Sequence, residues 1–177
     1  MIRLTSLSKN YNPISRIGSR WIIRFDPIYD GEAVTYMQHT IRGELTEERV
    51  RSVIDGYYNE TCKEKILSGM HYAGSTVWLT AENQANYAAA ATLAQLTDGG
   101  NLPYRIKLGD DAMPIYHDFI DVGEIVSFWR SCQEHISQCV QEAWERKAEV
   151  DYSLYSEEKA ELVCNKQSIE ENLPIDQ

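Results

Sequence analysis

An α+β fold is what this sequence predicts: short antiparallel β-hairpins alternating with helices, with one long amphipathic C-terminal helix packed on the sheet. Three observations carry that expectation. Turn residues at Asp30-Gly31, Gly74-Ser75 and Gly109-Asp110-Asp111 each separate two short strand-like runs. Stretches with apolar residues at helical spacing follow these pairs. The last stretch, 123–148, sets Ile125, Phe128, Trp129, Cys132, Ile136, Cys139, Val140, Ala143 and Trp144 on one broad stripe. With 43% apolar and 25% charged residues in 177 positions, the chain has the composition expected of a folded soluble protein with one sizeable core.

Residues 1–18 hold Ser and Asn with Pro13 and Gly18 and no clear period, so they are expected to be an extended N-terminal arm. A single α+β domain is expected over 19–150. Its first strand is Ser19–Phe25, ended by Asp26-Pro27, and Glu32–Thr40 returns as the second. Thr46 caps a helix whose first turn carries Glu47 and Glu48, where the helix dipole favours acids. Gly56 and Asn59 are candidate breaks in that helix, and Gly69 is its stop. Met70–Ala73 and Thr76–Leu79 pair about Gly74-Ser75. Thr80 caps the next helix, which runs through Tyr87 and the four alanines Ala88–Ala91 to Leu96. Small side chains there permit close approach of the sheet or of another helix, although Ala is also simply the best helix former. Leu102–Leu108 and Pro114–Ile120 form the third pair, with Pro103 marking an edge or a strand start because proline cannot donate to a ladder. Residues 151–177 are acidic and weakly apolar and are expected to be a C-terminal appendage, with Tyr152, Leu154 and Tyr155 as anchors at its start.

The formal charge of -10 is unevenly spread. Arg3, Lys9, Arg16, Arg20 and Arg24 give the first 25 residues a basic character without a single acid, whereas from Glu149 onward eight acids face only Lys159 and Lys166. The overall sign disfavours nucleic acid as a partner. The basic start is a candidate to dock on an acidic neighbour, such as another copy of the chain. No apolar run reaches the length of a membrane span, no signal-peptide pattern opens the chain, and Cys62, Cys132, Cys139 and Cys164 form no small secreted framework, so a reducing cytoplasm is the expected place of synthesis.

Chemistry-bearing motifs are weak. Cys132 and Cys139 lie seven positions apart on the predicted helix, about 10.5 Å along its axis, too far for both to hold one tetrahedral zinc or to form a disulfide. His135 between them does not alter that. Gly109-Asp110-Asp111 is the residue string of the metal-binding hairpin of template-directed polymerases, but that chemistry needs further carboxylates and a much larger body, while Gly and Asp are what a tight turn requires. His39, His71, His117 and His135 fall one per element, and His117 and Asp118, as strand neighbours, point to opposite faces. Neither a P-loop, a dinucleotide fingerprint nor a nucleophile elbow is present. No catalytic, cofactor-binding or metal-binding residue is therefore assigned, no cofactor is expected, and a non-enzymatic role is favoured. Eleven tyrosines against three phenylalanines suit half-buried positions and contact surfaces. Trp21, Trp78, Tyr87, Trp129, Trp144, Tyr152 and Tyr155 are the candidate core or interface anchors. Trp78→Ala is expected to cost roughly 3–5 kcal/mol if that side chain is buried.

The segments KILSGMHYAGSTVWLTAENQANYAAAATLA and LPYRIKLGDDAMPIYHDF, then a long helix closing on QEAWERKAEVD, resemble a family of small proteins of unknown function. These are encoded by phages and prophages, notably of gut Bacteroidales, often near tail-fibre or other virion genes. The likeness spans roughly 20–151 and is densest over Val77–Tyr87, with Trp144 and Lys147 closing it. It implies a setting and no active site. The function expected from it is a structural or adaptor protein of a phage particle, tail- or fibre-associated, acting through other phage structural proteins and as a homo-oligomer or on a symmetric assembly. A fibre assembly chaperone that leaves the particle is the alternative, and a small glycan hydrolase, which would need a carboxylate-lined pocket, is a more distant one.

Overall fold

The computed structural model describes residues 1–161 and has the mixed α+β, antiparallel architecture expected, arranged as two compact units. The first comprises 1–57 and 149–161; the second is 58–148. Helix α1 (Glu47–Ser68) gives its first half to one and its second half to the other.

In the first unit four antiparallel strands, β1 (Ile2–Leu7), β2 (Ile14–Ile17), β3 (Arg20–Asp30) and β4 (Ala33–Arg42), form a sheet in the order β1-β4-β3-β2. The expected arm over 1–18 thus supplies two strands of this sheet, joined through a 3₁₀ turn at Ser8–Asn10. Alternation was hard to read in β1 because its side chains are mostly exposed or half-buried and it takes its place by pairing Ile2 with Gln38 through Leu7 with Ala33. Asp26-Pro27 does not end β3 as expected. The register shifts between Phe25 and Ile28, so the dipeptide is absorbed in a bulge, with Asp26 at φ 54°. Arg3 reaches Asp26 Oδ2 at 2.6 Å and Tyr57 Oη at 2.9 Å, Arg16 lies 4.8 Å over the Trp21 ring, and Arg24 donates to the Asn12 carbonyl. Three of the five basic residues at the start of the chain are therefore engaged within their own unit. Ile14, Trp21, Ile23, Phe25, Val34, Ile41, Val50 and Ile54 fill the core. Gly56 does not break α1, because one helical glycine costs only about 1 kcal/mol relative to alanine and Val50 and Ile54 just before it are fully buried.

The second unit has β5 (Met70–Tyr72) paired with β6 (Ser75–Val77), α2 (Ala81–Leu96), β7 (Tyr104–Leu108) paired with β8 (Ile115–Phe119), and α3 (Val122–Ala148). The first hairpin turns on Ala73-Gly74, both at positive φ (49° and 77°), one position earlier than Gly74-Ser75; two central residues with φ > 0 match the twist of short strands. Leu79 leaves the strand to donate to the Leu67 carbonyl, and Thr80 caps α2 by accepting from the Asn83 amide. Tyr87, Ala90, Ala91 and Ala94 make the buried stripe of α2, which packs on α3, so the small side chains serve a helix–helix approach. α3 also touches β5 and β8 and buries Ile125, Phe128, Cys132 and Cys139. Phe128 sits at the centre of the core, its ring 4.9 Å from Phe119, 5.0 Å from Tyr72 and 5.2 Å from Tyr87.

Of the expected appendage, 151–161 belongs to the first unit, with a 3₁₀ turn at Tyr152–Leu154 and buried Tyr155 and Ala160; the remainder, with Cys164, lies outside the described residues. Among the described residues no helix is long and apolar enough to cross a membrane.

Candidate binding groove

The seven aromatic anchors fall in different places. In the first unit Trp21 is 2% exposed and donates its indole N–H to the Gly43 carbonyl at 3.0 Å. There too Tyr155 donates to the Arg24 carbonyl at 2.9 Å, while half-buried Tyr152 donates to Asp55 with the Arg51 guanidinium 3.8 Å over its ring. In the second unit Trp129 is half-buried against the core, and Trp144 is 67% exposed. Trp78 and Tyr87 are the two that come together.

They line a groove of about 340 Å³ with Asn83, Asn86, Tyr104, Arg105, Ile106 and Lys107. The local sequence builds it in two halves. On one side the cap at Thr80 starts α2 immediately after Trp78, and Asn83 Nδ2 donates back to the Trp78 carbonyl at 2.8 Å. Asn83, Asn86 and Tyr87 then recur at helical spacing on one face of α2. On the other side lies β7, paired with β8 along one edge only.

The direction of the β7 backbone follows from Gly109. Its N–H donates to the Thr76 carbonyl at 2.9 Å, and its carbonyl accepts from the Trp78 indole N–H, so both groups point away from β8. Across a trans peptide the preceding carbonyl points the opposite way, and the pattern alternates along a strand. Tyr104, Ile106 and Leu108 therefore spend their main-chain groups on Phe119, His117 and Ile115, while Arg105 and Lys107 turn theirs toward the groove. That alternation turns the main-chain groups of Arg105 and Lys107 away from β8, and outside the β7–β8 ladder no group among the described residues bonds them.

The side chains are polar at their tips and neutral or positive. Burial chiefly, with Cys132 and Tyr104 nearby, pushes Tyr87 up to about 12, and burial raises Tyr104 as well, so both present neutral hydroxyls near pH 7. Arg105 makes a two-pronged pair with Asp118 at 2.6 and 2.7 Å, and Lys107 pairs with Asp111. No carboxylate lines this groove or the smaller one of about 240 Å³ at His39, Ile41, Arg42 and Arg49 in the first unit.

The motifs weighed in the sequence have other duties. Asp110 accepts from the Ala112 and Met113 amides, closing the turn after Gly109. His117 meets Glu124 at 2.9 Å, while neighbouring Asp118 serves Arg105 on the other face. Burial pushes the Cys132 thiol up to about 12 and raises Cys139, which keeps both protonated; His135 Nε2 lies 3.7 Å from Cys139 Sγ and 3.1 Å from the Lys65 carbonyl. That helix packing needs Gly69, where a Cβ would stand 2.9 Å from the His135 ring. Among the described residues no group of three His, Cys, Asp or Glu is placed to hold a metal ion.

Asn83, Asn86, Tyr104, Arg105 and Lys107 were not singled out from the sequence as site residues. The alternation of YRIKL was the available signal, since it sets two cations on the face opposite Tyr104 and Ile106.

No curated protein and no solved structure matches the chain. The model of one family, a domain of unknown function (DUF4376), matches residues 48–163, which takes in all of the second unit's strands and leaves out β1–β4. As that match covers more than half of the chain, the protein belongs to the DUF4376 family.

Proposed function

We propose that this protein is a non-enzymatic structural or adaptor component of a phage particle, tail- or fibre-associated, working through protein–protein contacts. The observation that carries the reading is an exposed apolar run at the second hairpin of the second unit. Met113, Ile115, Tyr116 and Ile120 are 75%, 50%, 60% and 76% exposed within eight positions. Large apolar side chains concentrated in this way are costly to leave in water and are characteristic of protein contact sites. The phage setting rests on the resemblance of Val77–Tyr87 and its flanks to phage- and prophage-encoded proteins, and a homo-oligomer or symmetric assembly follows from that setting. A glycan-hydrolase reading draws no support from either groove, since neither carries an acid.

Mass spectrometry of purified particles tests the proposal. A virion component is present at fixed stoichiometry. An assembly chaperone is found only in the lysate of infected cells, and that outcome would replace the present reading. Light scattering on the full chain and on a chain lacking 151–177 reads the oligomeric state and the part played by the acidic end.

A further inference from the structure

We propose that the open edge of β7 binds an extended, acidic strand of a partner protein by main-chain pairing with Arg105 and Lys107. The inference deepens the adaptor reading by naming the partner's chemistry, and it stands on the geometry of the second unit alone.

Arg105 and Lys107, two positions apart on β7, offer two N–H donors and two carbonyl acceptors that the strand alternation turns away from β8 and that bond no other element among the described residues. An added strand satisfies such groups in the way that strand-adding peptide recognition does. The pairing has a defined limit. At Gly109 the edge is already taken by Thr76 and the Trp78 indole, so an incoming strand engages Lys107 and Arg105 and stops at the tryptophan. Room exists for it, because the groove between this edge and α2 holds about 340 Å³, which lies at the small end of ligand sites. Along the groove the Tyr87 and Tyr104 hydroxyls and the Asn86 amide make no hydrogen bond within the described residues, and the Trp78 side chain is 37% exposed.

Charge selects the occupant. The lining holds two cations and no carboxylate, and the exposed Asp118 and Asp111 that pair with Arg105 and Lys107 form weakly held surface pairs that an incoming acid can share. A second copy of β7 would set Arg105 and Lys107 against the same residues, and like charges directly across a strand pair are destabilising. A strand with acidic side chains at alternate positions places them beside Arg105 and Lys107, while its other side chains face the same way as Tyr104 and Ile106.

The test uses the full chain, labelled with nitrogen-15, and a capped octapeptide of alternating valine and glutamate as the probe. Expected are resonance changes centred on the Arg105 and Lys107 amides, with hydrogen exchange at both slowed about tenfold or more on binding. The same peptide N-methylated at alternate positions should lose at least about tenfold in affinity, and the valine–lysine version should bind more weakly than the glutamate one. Lys107→Pro should also abolish binding, because its N–H is not used by the β8 ladder and an outward edge position tolerates proline. Three results would each overturn the proposal. One is no change at the two amides at millimolar peptide. Another is equal binding of the N-methylated peptide, which would mean recognition by side chains alone. The third is a dimer in light scattering with Arg105 and Lys107 already protected without peptide, which would assign the edge to a second copy. Each result is read on the purified chain, so the edge can fail while the particle-based reading stands, and the reverse.

Discussion

The two units reach a buried core by different means. In the first, β3 and β4 run for 11 and 10 residues, and the long ladder between them, flanked by β1 and β2, carries the sheet. In the second, no strand exceeds five residues, and the sheets stop at two strands each. Ribbons of that length are marginal by themselves and need helices packed against them. Here α2 supplies an alanine face and α3 supplies Phe128, around which Tyr72, Tyr87 and Phe119 gather. The difference teaches where a binding surface arises. A ribbon held by helices rather than by neighbouring strands can keep one edge unpaired, and that edge is where the groove formed.

The largest expected effect probes that dependence on helices. Phe128→Ala should cost about 3–5 kcal/mol in chemical denaturation, since the ring is 1% exposed and central to the aromatic cluster. A loss below about 1 kcal/mol would show that the second unit's cohesion lies elsewhere.

Next is a pH effect on the groove wall. Tyr87 has its pKa raised by burial from about 10 in the unfolded chain to about 12 in the fold. The folded state thus holds that proton more tightly, and its contribution is fully present below pH 10 and is lost as pH rises toward 12. Tyr87's share of the fall should be roughly 2–3 kcal/mol over that window, and because Tyr11 and Tyr152 are also raised by burial, Tyr87→Phe should make the slope shallower without abolishing it in denaturation curves taken from pH 9 to 12.

Trp78→Ala sharpens the comparison. The expected 3–5 kcal/mol assumed a buried side chain, whereas the indole is 37% exposed and bonded to Gly109 at its edge. The loss should be about 1–2 kcal/mol, but peptide binding at the β7 edge should weaken more than stability does, as a titration on the same variant would show. Smallest is Thr80→Ala, which removes the cap on Asn83. About 1 kcal/mol is expected, read as a drop in melting temperature with the fold unchanged.

Much of the second unit was legible in its residues because its signals are local. Thr80 as a cap, the stop at Gly69, and the stripe of α3 each depend on neighbours within a few positions. In the groove, Trp78 and Tyr87 stood out as large aromatics, but Asn83, Asn86, Arg105 and Lys107 did not, since each is an ordinary surface residue for its element. What makes them a site is the free side of β7, and pairing partners are a long-range property. The first unit was harder for the same reason. Ile2–Leu7 has no buried position and becomes a strand only because β4 lies beside it, and Asp26-Pro27 looks like a stop until a bulge carries the strand through.

By itself the sequence determined the fold class, the helix caps, the hairpin turns to within one position and the absence of any motif for bound nucleotides, because these rest on torsional preference and short-range periodicity. Only the tertiary structure decided that Ile2–Leu7 and Ile14–Ile17 are strands, that Trp144 faces water and Trp21 does not, and that the main-chain groups of Arg105 and Lys107 on β7 turn away from β8. Those outcomes depend on which elements meet across long stretches of chain, and hydrogen bonding and burial are settled by that meeting.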